Sequence, residues 1–374
     1  MNSQASTTPQ PAMLADIRRQ ADVLQHVMAR APEFRRLGAE RLRPDDGGRL
    51  FAFGCGDGWF AARAVAGVAF DAFGLDLAAE TSLAMLLREA PRASAADRAV
   101  AISMSGTVDR TNAAGGALTA AGPGYVALSN TDGAALGAGA TAIASLQVPD
   151  VAAFLTGTAR YSATVLGLMM LVEGAAGRTE ASLTTGPEAR ALVTRLPEVL
   201  DAADAVFGPM AHALVDQGFG GIRVLGAGSD WAAADYGAAK LVKVVASPVW
   251  SGEIEEYAHS QFWSSRADEL VVLLASTPAV ARLAENTAAA LTAAGQRVLA
   301  IETAGVPVSS ASWRLSLPAT PAWLSPLLMP APLQMLAYAM ALATGHDPNR
   351  SQDEADPQRF LAAQLLSRRC ELPA

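Results

Sequence analysis

The chain has 374 residues, 51% of them hydrophobic and 17% charged, with a formal net charge of −8. That length holds one large or two ordinary α/β domains with a sizeable core. The acidic balance and the lack of any basic cluster argue against nucleic acid as a partner.

The opening stretch, "MNSQASTTPQPA", is polar and lacks the basic start and apolar run of a signal peptide. Residues 1–34 are expected to form an N-terminal helical segment. A strand predicted over 49–54 runs into "GCGDG" (Gly54–Gly58) and then the helical "WFAARAVAGVAF". Gly56 and Gly58 allow a tight turn, and the helix start behind them offers free N–H groups to an anion. The glycines fall at 54, 56 and 58, so the dinucleotide spacing G-x-G-x-x-G is absent. A ligand-free strand-to-helix turn therefore competes with a phosphate site.

The next predicted strand, 99–104, ends in "SMSGT". Ser103, Ser105 and Thr107 bring three hydroxyls into five residues, with Met104 between the serines and Gly106 allowing a bend. Neutral hydroxyls suit the several acceptor oxygens of a phosphate monoester. The competing reading is a hydroxyl-rich turn capping the following helix. Strands at 125–129 and 142–148 complete this half. "SATVLGLMMLVEGAAG" is interrupted by Glu173 and too short for a bilayer, so it reads as a core helix. Val172–Arg190 is polar and turn-rich and reads as a linker.

The second half echoes the first. "ALTAAG" (Ala117–Gly122) returns at Ala290–Gly295, and "FAFGCG" (Phe51–Gly56) corresponds to "RVLGAG" (Arg223–Gly228). "AISMSG" matches "VVLLAST" and "YVALSN" matches "RVLAIE", every displacement lying between 171 and 173 residues. Strands are predicted at 222–227, 270–275, 297–302 and 312–317. Short apolar strands alternating with alanine-rich helices imply parallel sheets with crossover helices, whose ligands sit at the carboxyl ends of the strands. The expected units span 35–178 and 190–345, with a tail over 346–374. Cys55 and Cys370 have neither metal spacing nor a disulfide framework, so a reducing, cytoplasmic location is expected.

Taken together, strand–"GCGDG"–helix and strand–"SMSGT", duplicated once, resemble the tandem sugar isomerase (SIS) family. Its members include the isomerase half of glucosamine-6-phosphate synthase, aminosugar-phosphate deaminases and deglycases. "MLADIRRQADVL" (Met13–Leu24) is similar to the family's N-terminal helix, and "PLQMLAYAMALATGHD" (Pro332–Asp347) to its final one. "AAKLVKVV" with "GEIEEYAHS" is similar to a segment between them. The resemblance implies an α/β fold of two tandem SIS-type units, each a mainly parallel sheet flanked by helices in an αβα sandwich. It implies a phosphorylated sugar as ligand, its phosphate at Ser103 and Ser105, and Thr156 and Thr158 near the sugar.

The activity implied is ring opening followed by proton transfer at C1/C2, giving isomerisation, deamination or deglycation without a metal or organic cofactor. His259 falls on the family's ring-opening histidine. The family's glutamate base falls at Lys243, Glu256 matches a second family glutamate, and Glu255 is its neighbouring substitute. A lysine base needs its pKa lowered several units by burial, so Lys243 reads equally well as a surface residue. Glu253, Glu255 and Glu256 beside His259 set it in an acidic segment that would fix its tautomer; a solvated charge run is the alternative. The tail has no lysine, and Arg350 is the closest cation to the family's tail lysine. In relatives the histidine enters the neighbouring subunit's site, which implies a homodimer with shared active sites; the short apolar runs and the lack of a basic cluster leave no membrane or nucleic-acid partner expected. The missing glutamate and tail lysine favour the competing function, a phosphosugar-binding regulator without catalysis.

Overall fold

The computed structural model describes residues 12–152, 156–178, 182–245, 247–303, 305, 307–349, 358, 361, 362, 365 and 366. Three helices lead, α1 (Ala12–Arg18), α2 (Gln20–Ala29) and α3 (Ala31–Arg41). The first unit continues with β1 (Leu50–Gly54), α4 (Asp57–Phe73), β2 (Ala78–Thr81), the short α5 (Ser82–Ala84), β3 (Arg98–Ile102) and α6 (Asp109–Ala121). It closes with β4 (Val126–Ser129), the single-turn α7 (Ala135–Ala138), β5 (Ala142–Ser145) and α8 (Ala159–Ala175). The long α9 (Pro187–Asp216) leads into β6 (Gly221–Gly226), α10 (Ser229–Val245), β7 (Val249–Glu253), α11 (Ile254–His259) and β8 (Glu269–Ala275). Then follow α12 (Pro278–Ala293), β9 (Arg297–Thr303), β10 (Trp313–Leu317), α13 (Ser325–Leu328) and α14 (Pro330–Ala343).

Each unit holds one five-stranded sheet, ordered β2-β1-β3-β4-β5 and β10-β9-β8-β6-β7. All neighbouring strands run parallel. This is the tandem α/β sandwich expected from the sequence. All eight predicted strands form. The two that escaped prediction, β2 and β7, are edge strands. β2 is the half-buried "AAET" and β7 is "VWSGE", exposed at Trp250. Neither carries the apolar run that marks a strand buried on both faces.

The repeat becomes a pseudo-twofold relation. The units pack through α4 on α10, with α8 and α14 in corresponding places. Arg63 of α4 pairs with Asp235 of α10, and these residues are 172 positions apart, the displacement of the repeat itself. α8 is buried from Ala159 to Ala175 apart from Arg160, as a core helix should be. It meets α3 so closely that Gly38 and Gly174 lie against the other helix's backbone. The stretch Ala322–Ala343 is long and apolar enough to cross a membrane, yet 89% of its most apolar window is buried inside the protein.

Asp230, in the first turn of α10, carries a pH-dependent cost. It is 1% exposed. One carboxylate oxygen accepts from the Ser276 N–H at 2.8 Å, and the other has no partner among the described residues. Burial raises its pKa to about 6. A carboxyl that holds its proton more tightly when folded imposes no cost below about pH 4, where both states are protonated, and full cost above about pH 6. Asp230→Asn is therefore expected to gain stability relative to the parent between pH 4.5 and pH 7.5, by up to about 3 kcal/mol. Urea unfolding at the two pH values checks this; a pH-independent difference between the proteins would refute it.

Candidate active site

β1 and β3 pair with Gly54 beside Ile102, so the glycine turn and the serine turn leave the sheet side by side. Gly56 adopts φ +53°, a left-handed conformation that favours glycine. A Cβ on Gly58 would lie 2.7 Å from the Ile102 carbonyl oxygen, so only glycine lets α4 start this close to β3. Above these turns lies a cleft of about 320 Å³. One wall is Gly58 with Ser103, Met104 and Ser105, another is Thr156 with Tyr161, and Lys243 of the second unit closes it.

The serine turn is braced from within. The Ser103 hydroxyl accepts from the Gly106 N–H at 3.1 Å. The Ser105 hydroxyl accepts from the Thr107 N–H at 3.3 Å and from its hydroxyl at 2.9 Å. Among the described residues both serines act only as acceptors, so each keeps its own O–H for a ligand oxygen. Gly106, at φ +63°, makes the bend, and Thr107 supports Ser105 from outside the cleft lining.

The two predicted threonines divide. Thr158 is buried and donates to Asp16, which also accepts from the Ala159 N–H at 3.0 Å. It ties α1 to the start of α8 rather than facing the cleft. Thr156 does line the cleft, and neither its hydroxyl nor that of Tyr161 has a partner among the described residues. Tyr161 stacks on Tyr236 with centroids 3.6 Å apart.

The charges show what the sequence reading missed. Asp57, the acid within "GCGDG", lines the cleft and meets Lys240 of α10. The Lys240 ammonium donates to both carboxylate oxygens at 2.7 Å. Burial pushes Lys240 down to about 8 against the opposing pull of Asp57. Burial also pushes Asp57 upward, but Lys240 and Lys243 together outweigh it and hold the carboxyl below its ordinary range. The other cleft carboxylates have their own cations: Asp16 lies 2.6 Å from Arg19, and Asp150 pairs with Arg160. Lys243 has no ion-pair partner among the described residues.

His259 lies elsewhere. Its ring Nε2 is 3.3 Å from Glu255 on the same helix, with side chains 67% and 60% exposed, and neither lines the cleft. Glu256 is exposed beside them. Glu253 caps α11, accepting from the N–H groups of Glu255 at 2.7 Å and Glu256 at 2.9 Å. Gly56 shapes its turn without lining the cleft, and Arg350 lies outside the described residues.

Three solved structures cover nearly all of this arrangement. The C-terminal domain of glucosamine-fructose-6-phosphate aminotransferase from Francisella tularensis matches with a TM-score of 0.76 at 15% identity, over 92% of this chain and 100% of that one. The tandem SIS fold is the fold of this chain. Tagatose-6-phosphate ketose/aldose isomerase from Escherichia coli gives a TM-score of 0.74 at 19% identity, over 91% and 96% of the two chains. Glucosamine-6-phosphate deaminase from Thermotoga maritima gives 0.70 at 17%, over 91% and 97%. No family model and no curated protein matches the sequence. The SIS architecture is thus built here on a sequence that shares 15–19% identity with these three structures, and the cleft described above is where its two units meet.

Proposed function

We propose that the protein is an enzyme acting at C1/C2 of a phosphorylated sugar or aminosugar, by ring opening and proton transfer. The observation that carries this reading is the serine turn: Ser103 and Ser105 present hydroxyls with no acceptor among the described residues to a cleft that Lys243 also lines. A phosphate fits that donor set. The SIS neighbours named for sugar phosphates support it. His259 and Glu255 reach such a cleft when they belong to a neighbouring copy of the chain, so the reading includes a homodimer with shared sites.

One observation favours the second reading, a phosphosugar-binding protein without catalysis: the His259–Glu255 pair stands exposed, away from the cleft of its own chain. Hexose and aminohexose phosphates incubated with the protein in deuterium oxide, with the C1 and C2 protons followed by NMR, separate the two. Exchange that disappears in His259→Ala supports the enzyme, and binding without exchange across the series supports the regulator. Ser105→Ala is expected to weaken phosphosugar affinity about tenfold, the loss of one hydrogen bond to a charged group. Unchanged affinity in a calorimetric titration removes the serine turn from the site.

A further inference from the structure

Among the described residues three carboxylates line the cleft, and Asp57 is the one both open to it and fixed in place. Asp16 is 5% exposed and engaged by Arg19, Thr158 and the Ala159 N–H. Asp150 is 59% exposed and paired with Arg160. Asp57 combines two features of a proton carrier, access to the cleft and a fixed position. Its side chain is 25% exposed, and it is fixed from behind by an ammonium that is itself 0% exposed. Its backbone is fixed as well, at the first position of the 17-residue α4. The fixing cation comes from the other unit, so the carboxylate is set only where the two units meet. Gly157 packs against it so tightly that a Cβ there would lie 3.0 Å from Asp57 Oδ2. A larger residue at 157 would press on that oxygen, displacing it by a few tenths of an ångström.

We propose that Asp57 is the catalytic carboxylate of this cleft and that Lys240 is its positioning residue. The proposal rests on the C1/C2 reading above. In an open-chain aldose phosphate, Asp57 takes the proton from C2. The C2–H electron pair becomes the C1–C2 double bond, and the carbonyl pair moves onto O1. The O2–H proton passes to O1, and Asp57 returns its proton to C1, leaving the carbonyl at C2. Atoms and electrons balance without any further reagent. The competing role for Asp57 is structural, an acid stabilising the start of α4 and matched by a buried lysine.

Asp57→Asn separates these roles, because it keeps the shape and removes the proton acceptor. It also leaves Lys240 charged and buried, so Asp57→Asn combined with Lys240→Met is measured beside it, with both charges removed together. The parent and both variants are assayed for deuterium exchange at C1 and C2 of glucose, fructose and glucosamine 6-phosphates, and for affinity by calorimetry. Both variants are expected to fold and to bind the phosphosugar within threefold of the parent, and to lose exchange by about 10²- to 10⁴-fold. Retention of more than a tenth of the parent's exchange in either variant overturns the assignment while the enzyme reading stands. Loss of binding in both overturns it too and gives Asp57 a structural or ligand-holding role. A parent that binds without exchange overturns the enzyme reading itself.

Discussion

Gly174→Ala is expected to destabilise the fold by about 3 kcal/mol, at the upper end for an added methyl in a packed core. The new Cβ would lie 2.1 Å from the Arg35 carbonyl oxygen, and across the same contact a Cβ on Gly38 would lie 2.0 Å from that of Leu171. These are backbone atoms of two helices, so no flexible side chain can yield and α3 and α8 must separate. α8 begins just beyond Thr156 and carries Tyr161, so the same shift opens one wall of the cleft and lowers ligand affinity. Urea unfolding checks the first effect and calorimetry the second. Gly116→Ala is the control. Gly116 lies exposed within α6 with nothing in the space its Cβ would fill. There the substitution should raise stability by about 0.5–1 kcal/mol, the ordinary gain of alanine over glycine in a helix. Equal midpoints for the parent and Gly174→Ala would show that the helix contact is looser than described.

Lys240→Met should be nearly as damaging, costing about 3 kcal/mol, because it strands Asp57 beside the cleft without its cation. A buried ion pair need not stabilise a fold on balance, since desolvating both charges offsets much of their attraction. Removing one member is different, because the other keeps its desolvation cost and loses its partner. Asp57→Asn combined with Lys240→Met should therefore recover most of the loss. Unfolding of the two single variants and the double variant forms a cycle, and a double variant as unstable as the sum of the singles would show that the pair does not couple.

The fold was legible because its signals are repeated. Eight strands announce themselves as short stretches rich in apolar residues, and their displacement of about 172 residues identifies two copies of one unit. Of the four edge strands, β2 and β7 stayed hidden because "AAET" and "VWSGE" carry too few apolar residues to read as strands. The serine turn was legible too, since its hydroxyls are adjacent in sequence. Thr107 and Thr158 show the limit of that method. Both are hydroxyl residues in the right segment, yet one braces Ser105 from outside and the other holds Asp16. Sequence carries residue type but not the direction in which a side chain points. Asp57 and Lys240 were missed for another reason. They are 183 positions apart, and their pairing exists only where α10 meets the start of α4. The two halves of the signal, an acid in "GCGDG" and a lysine one turn before Lys243, were both present, but neither announces the other.

The Arg63–Asp235 pair marks an axis that relates the two units without making them equal. A second cleft of about 320 Å³, lined by Ser229, Ser276 and Thr277, lies across that axis from the first. Asp71 lines it, at the place that Lys243 takes in its counterpart. Two separate copies of one unit would be forced to present identical mouths, because any change in sequence is made in both at once. Joining the copies in a single polypeptide lifts that constraint, and the opposite signs at 71 and 243 are its imprint.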